Sequence, residues 1–387
     1  MKTTRMIIGV TLGLLVLSAG VVAQKKTEEG KGVRSKSFTA SKGGSLEVST
    51  NVGDIRISPW DKNEVYVNVE GVDDEDLDRV KMTQSGNTVR VVFRPKWHDY
   101  GDVRFEVSVP SQFDIDISTS GGNLEFTGAI SGKIKGSTSG GDIKLRNIAG
   151  TVDMSTAGGD VRTGDIQGNG YLKTSGGDIE IGAVNGELEV GTSGGNIRVE
   201  GVGKSLEAKT SGGDIEIGNV GGEARVSTSG GDIKMGKVSG KASMSTAGGN
   251  IELKGASGTV TAKTAGGDVR LENITGSIEA KTAGGEVDAE LFPSGKGSSR
   301  LTSAGGNVKL RVPENAKVTI EAVIRVQDRW WKGSERYKIR SDFKSDTYVK
   351  DGEEDEIRAT YILNGGGESI FLETVNADID IKKIGSR

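Results

Sequence analysis

The residues best placed to do chemistry recur at a fixed interval. An acid or amide follows a Gly-Gly pair at Asn123, Asp142, Asp160, Asp178, Asn196, Asp214, Asp232, Asn250, Asp268, Glu286 and Asn307. If these positions stack, Asp142, Asp160, Asp178, Asp214 and Asp232 would line up carboxylates, and calcium takes about six to eight such oxygens. The competing explanation is structural: Asp and Asn follow glycine in turns because their side chains hydrogen-bond the turn backbone. The calcium-binding repeat G-G-x-G-x-D-x-U-x is not matched, which favours the structural explanation.

Other candidates are sparser. Trp330-Trp331, followed by Lys332-Gly333, would form an aromatic platform for a glycan, or would close the end of a core with one ring buried. A threonine column, Thr138, Thr156, Thr174, Thr192, Thr210, Thr228, Thr246, Thr264 and Thr282, would make an ordered hydroxyl surface if it faced outward. Strand parity turns it inward instead, where it edges the core with cross-strand hydroxyl bonds. His98 is the only histidine and the chain has no cysteine, so no triad or thiolate metal site can be assembled around a nucleophile motif. No phosphate loop or dinucleotide fingerprint is present. Acid pairs are offered by every coil, but no coil breaks the pattern as a catalytic site would. The reading therefore assigns no catalytic residue and no cofactor.

These side chains need a scaffold that repeats with them. The first glycine of each pair falls at 121, 140, 158, 176, 194, 212, 230, 248, 266, 284 and 305, with a spacing of nineteen, then eighteen eight times, then twenty-one. A typical coil, Gly212 to Ser229, reads GGDIEIGNVGGEARVSTS. Ile215 and Ile217 alternate with Glu216, and Ala224 and Val226 with Arg225, so each coil carries two short strands. The Gly-Gly pair and a second glycine (Gly186, Gly222, Gly240, Gly258, Gly276, but Lys204 in one coil) read as turns with positive φ. One coil cannot bury a core, but stacked coils can. The predicted fold class is all-β, a parallel β-solenoid of eighteen-residue coils, with eleven registers spanning about 50 Å. Ile143 to Val287, Leu145 to Ala289 and Ile134 to Ile278 form its inward columns.

An independent column tests the register. Arg162, Glu180, Arg198, Glu216, Lys234, Glu252, Arg270 and Asp288 lie eighteen residues apart and alternate in sign. That alternation has meaning only if they are neighbours on adjacent coils. Lys144 beside Arg162 breaks it. The ladder is read as structural, setting register more than adding stability.

Composition agrees. Glycine is 61 of 387 residues, proline 5, and apolar residues 34%. Lys2 and Arg5, an apolar Ile7–Ala19 and Val21-Val22-Ala23 read as a signal peptide over residues 1–23. Its removal takes the net charge from -4 to -6, which argues against a nucleic-acid partner. A flexible 24–36 precedes a β-rich N-terminal cap at 37–118, a repeat array at 119–312 and a C-terminal β cap at 313–387. Nearly all aromatics sit in the caps, where solenoid ends need cover. The matching VSVPSQFDIDI and LRVPENAKVTI, ending at Ile117 and Ile320, bracket the array and suggest duplicated modules.

IRATYILNGGGESIFLETVNADIDI, from Ile357 to Ile381, resembles the closing segment of a bacterial family of β-strand-repeat proteins regarded as candidate adhesins. SLEVSTNVGDIRISPWDKNEVYVNVEG, from Ser45 to Gly71, resembles its first coil, and the TSGGDI repeats its middle. Ala377 stands where that family usually has glycine. The resemblance covers nearly the whole mature chain. It implies a solenoid and an envelope location, in a family without an assigned function, and it implies no catalytic residues.

The expectation is a non-enzymatic exported envelope protein, adhesin-like or scaffolding, in the periplasm, at the cell surface or outside the cell. Its partner would be a cell-surface or envelope protein or a glycan, with membrane contact only through the transient signal peptide. The alternative is a carbohydrate-binding or carbohydrate-active protein on the same scaffold, with Trp330 and Trp331 at its site.

Overall fold

The structure, a computed structural model, describes residues 22–26, 31–96, 102–295, 297–327, 336–351 and 355–385. Most of the 1–23 stretch lies outside them. Each coil contributes one strand to each of two sheets. Ile215–Val220 lies between Ile197–Val202 and Ile233–Val238, parallel to both. Ala224–Ser227 lies between Leu206–Lys209 and Ala242–Ser245 in the same sense. Ile215 is opposite Ile197 and Ile233, so residues eighteen apart are neighbours. The chain is a parallel β-solenoid.

The predicted apolar columns are buried, from Ile143 to Val287 and from Ile134 to Ile278. A further column closes the corner between the two sheets: Ile148, Ile166, Val184, Val202, Val220, Val238, Ala256 and Ile274, all buried and paired rung to rung. It falls three residues after the second inward position, outside strand alternation, because the strand bends there.

The repeat glycines depart from expectation. None of the Gly-Gly pairs between Gly121 and Gly306, and none of the second-site glycines, has a positive φ. They are needed for close approach. A β-carbon on Gly213 would lie 2.2 Å from the carbonyl oxygen of Gly195, and one on Gly231 2.2 Å from that of Gly213. Stacked turns bring backbone onto backbone with no room for a side chain. Clearance at the second glycine site varies along the stack, from 2.0 Å between a β-carbon on Gly276 and the Gly258 carbonyl oxygen to 2.9 Å between one on Gly222 and that of Lys204.

Both ends use one device. Gly44–Thr50 sits between Thr88–Phe93 and Phe113–Ser118, and Asp54–Trp60 between Arg104–Pro110 and Leu124–Phe126. At the other end Glu368–Val375 sits between Ser298–Ser303 and Val318–Arg325, and Ile379–Lys383 between Val308–Val312 and Ile339–Ser341. In each case a coil from a terminal part of the chain is inserted between two coils that are consecutive in sequence. The matched segments around Pro110 and Pro313 are the crossings that step over the inserted coil. Proline suits that place, because it has no backbone N–H to leave unpaired where the chain quits a rung.

The inserted and flanking coils lengthen the parallel stack to fifteen rungs, from Arg104–Pro110 to Ile339–Ser341, or about 65–70 Å at the usual strand spacing. Antiparallel strands then stop the ladder. Glu64–Asp73, Lys31–Thr39 and Lys81–Ser85 cover the first end, and Glu356–Leu363 and Thr347–Asp351 the second. Phe93, Phe105, Phe113 and Phe126 are fully buried near the first end, with the Phe93 and Phe105 rings 6.2 Å apart.

Candidate functional site

The outer face of the first sheet carries the charge ladder. Arg162 faces Glu180, Glu180 faces Arg198, and the alternation runs on through Glu216, Lys234, Glu252 and Arg270 to Asp288. It then continues where the spacing is no longer eighteen. Asp288 is followed by Lys309, Asp380 and Arg340. Before the array, Glu106, Arg56, Glu125 and Lys144 follow one another on adjacent rungs. Across fifteen rungs the sign fails to alternate only between Lys144 and Arg162.

Ion pairs form along it at 2.9 Å (Arg56–Glu125), 3.7 Å (Arg162–Glu180) and 2.7 Å (Arg198–Glu216). At the far end Arg340 reaches both Asp380 and Asp378 at 2.8 Å. Its hydrogen bond to Asp380 holds the guanidinium even further above the ordinary arginine value. The Arg56–Glu125, Arg162–Glu180 and Arg198–Glu216 pairs are well solvated, so each contributes little to stability, whereas Asp378 and Asp380 are mostly covered.

Beside the ladder runs a groove of about 1050 Å³, reaching from Glu125 to Glu252 and Lys254. Ladder side chains form one lip, and Gly164, Gly182, Gly218 and Gly236 lie along the floor. The coil bends sharply at these glycines: a β-carbon on Gly218 would fall 1.8 Å from the Glu200 carbonyl oxygen. No exposed aromatic side chain lines the groove; Phe126, which borders it, is buried. Except at Lys144 and Arg162, the lip offers donors and acceptors in turn every ~4.8 Å. Such a surface reads a pattern along a chain and does not concentrate a uniformly charged polymer.

The acid column serves the backbone. Asp142 Oδ1 accepts the N–H of Asp160 at 3.0 Å, Asp160 Oδ1 that of Asp178 at 2.9 Å, and Asp178 Oδ1 that of Asn196 at 2.7 Å. Asp214 and Asp232 do the same for Asp232 and Asn250, at 2.8 and 2.7 Å. Asn serves as well as Asp, since Asn196 Oδ1 accepts from Asp214 at 2.8 Å. Among the described residues no three His, Cys, Asp or Glu side chains converge as a metal cluster would.

The threonine column is buried as strand parity requires, but its hydroxyls do not bond one another. Thr228 Oγ1 donates to the Gly213 carbonyl of the preceding coil at 2.9 Å and accepts the Gly231 N–H at 3.3 Å. The same donation recurs from Thr138 to Thr282, because the second glycine's carbonyl points inward and is nearer than the next threonine.

On the second sheet Tyr171 borders a shallower groove of about 420 Å³ with Glu187, Glu189, Glu207, Arg225 and Lys241. Lys173 lies over the ring, 4.3 Å from its centre. The hydrogen bond to the Tyr171 hydroxyl, followed by that to Glu189, raises the Lys173 ammonium above its ordinary value. Trp330, Trp331 and His98 lie outside the described residues.

Sequence reasoning missed the outer members of the ladder, Glu106, Arg56, Glu125, Lys309, Asp380 and Arg340. The signal was available in VGDIRI and NADIDI, which repeat the GGDI-strand pattern at Asp54 and Asp378. What hid it is that their stacking neighbours lie about seventy residues away, as Asn123 does from Asp54 (69) and Asp378 from Asn307 (71).

The family model Toastrack DUF4097 matches residues 44–220 and 201–326. Among solved structures, the chain is similar to a candidate adhesin from Bacteroides fragilis NCTC 9343, with 11% identity, 91% of this chain and 96% of that chain covered, and a TM-score of 0.26. A candidate adhesin from Parabacteroides merdae ATCC 43184 shares 12% identity over 73% of this chain and 89% of that one, with a TM-score of 0.28. A candidate lipid-binding protein from Parabacteroides distasonis ATCC 8503 shares 10% identity over 91% and 96%, with a TM-score of 0.21. No curated protein matches. The family match spans most of the stack described above, inserted N-terminal coil included, and on that ground the chain belongs to the Toastrack DUF4097 family.

Proposed function

We propose that this chain is an exported, non-enzymatic envelope protein with an adhesin-like or scaffolding role, and that the groove beside the charge ladder is the surface it presents to an extended partner. The observation that carries this reading is the continuity of the groove, which runs along the rod from Glu125 to Lys254 without a catalytic constellation among its lining residues. A stiff rod with a patterned face holds a partner at fixed distance and orientation. Export is supported by the Lys2–Ala23 segment.

Two measurements test it. Cell fractionation of the native chain should find it in the envelope with its N-terminus at Gln24; retention in the cytoplasm with Met1 intact would sink the export claim. Purified chain should bind whole cells or envelope protein without turning over glycans, and Arg198→Ala with Lys234→Ala, which strip donors from the lip and leave the floor backbone untouched, should weaken that binding. Glycan binding that disappears on Trp330→Ala and Trp331→Ala, with groove variants unaffected, would favour the carbohydrate reading instead.

A further inference from the structure

The inserted C-terminal coil enters the stack through one short hinge, and the slot it fills is built from other coils. Its slot has two walls, the coil Ser298–Val312 and the layer formed by Val318–Arg325 and Ile339–Ser341, and Pro313 joins them. The walls therefore stand two rungs apart, about 9.6 Å, whether or not the slot is filled by the same molecule. Leu363 and Glu368 both pair with Val318, on opposite sides of it. The four residues between them must arch over that strand. They do so with positive φ throughout: Asn364 at 53°, Gly365 at 87°, Gly366 at 79° and Gly367 at 156°. Beyond this hinge the coil runs to the end of the described chain.

We propose that Glu368–Lys383 exchanges between two copies of this chain, so that the slot is an acceptor site for the same coil of a second molecule. Every contact the coil makes is available in trans. Ile370, Leu372, Ile379 and Ile381 are buried in the slot, and Thr374 Oγ1 donates to the Gly306 carbonyl at 2.6 Å. Asp380 stands between Lys309 and Arg340 in the ladder, so the charge register accepts a donated coil in one alignment only. The closed and exchanged forms differ in the hinge and in the entropy of association, which is how exchange of identical elements gives dimers at low cost.

The chain has no cysteine, so a disulfide can report the exchange directly. Lys309 and Asp380 are paired on adjacent rungs, a separation that a disulfide spans. In full chain carrying Lys309→Cys and Asp380→Cys, oxidation at micromolar concentration should give an internally bridged monomer. Incubation of the reduced chain at millimolar concentration, in denaturant just below its unfolding transition, followed by oxidation, should give a covalent dimer on a non-reducing gel, enriched at least tenfold. A second variant lacking Gly365 and Gly366 has a hinge too short to cross Val318 and should be predominantly dimeric by light scattering. Internal bridging alone at every concentration would overturn the proposal, as would a folded, monomeric hinge-deletion variant; if that variant does not fold, the cysteine pair decides.

Discussion

Lys144 and Arg162 are neighbours on adjacent rungs, and each turns away from the other to an aspartate on its own strand: Lys144 to Asp142 at 3.7 Å and Arg162 to Asp160 at 2.9 Å. The one fault in the ladder is thus relieved by the column beside it. Direct ion pairs between ladder neighbours form at Arg56–Glu125, Arg162–Glu180, Arg198–Glu216 and Arg340–Asp380. The acid column and the ladder are separate devices, one securing backbone and the other setting register, and they cooperate where the second fails.

Reversing a charge inside the ladder should behave as two new faults. Glu216→Lys places a cation between Arg198 and Lys234; Asp214 stands two residues before it as Asp142 does before Lys144, but Arg198 has Asn196, not an acid, in that place. Cross-strand charge pairs contribute about 0.2–1 kcal/mol each, so the variant should lose roughly 0.5–2 kcal/mol in urea unfolding. The loss should shrink in high salt, because exposed charges are screened. A loss that does not respond to salt would argue against the electrostatic account.

The two glycines of each pair should be unequal. A β-carbon on Gly212 would lie 3.1 Å from the Gly194 carbonyl oxygen, whereas one on Gly213 would lie 2.2 Å from that of Gly195. Gly212→Ala should cost about 1 kcal/mol and Gly213→Ala about 3 kcal/mol or more, since the obstacle is backbone. Equal thermal shifts for the two variants would contradict the stacked-turn geometry.

Thr228→Val should remove the donor to the Gly213 carbonyl and the acceptor for the Gly231 N–H while keeping the side-chain shape. Leaving buried polar groups unpaired costs about 1–3 kcal/mol. Thr228→Ser should be close to neutral, because Ser303 makes the same bond to the Gly285 carbonyl at 2.8 Å. Chemical denaturation of the two variants side by side separates hydroxyl from packing.

Asp214→Asn should fold with little change and Asp214→Ala should lose the bond to the Asp232 N–H, a difference of about 1 kcal/mol. If this column works only on backbone, the melting temperature should be the same in EDTA and in millimolar calcium. A calcium-dependent rise abolished by the asparagine substitution would restore the metal explanation.

Burial pushes the Glu368 carboxyl above its ordinary value. A raised folded-state value means the native chain holds the proton more tightly than the unfolded one. Stability from this group is therefore full below the unfolded value, about 4.3, and is lost as pH rises through the raised value. Glu368→Gln should remove that decline, so the difference in melting temperature between variant and parent should grow from mild acid toward neutrality and then level off. A difference independent of pH would sink this explanation.

Period and register were legible in the sequence because one residue in nine carried the information twice: Ile215 by alternation and Glu216 by sign. The inward threonine followed from parity alone. The conformation of the glycines did not, because a close approach between backbones eighteen residues apart leaves no mark beyond the glycine itself, and positive φ predicts the same residue. The corner column through Val220 escaped because the bend at Gly218 breaks the period of two. The inserted coils escaped because insertion is a statement about space, and the crossings at Pro110 and Pro313 look like any loop. As for the groove, its glycines and its charges were each visible, but that they share one concavity depends on the bend.

The sign of the ladder repeats every second coil, although the fold repeats with every one. A chain that gains or loses one coil keeps its stacking and its core yet leaves two like charges side by side; only coils gained or lost in pairs leave no scar. The charge period of this array is therefore a doublet of thirty-six residues, and at the lone Lys144–Arg162 fault that doublet falls out of phase.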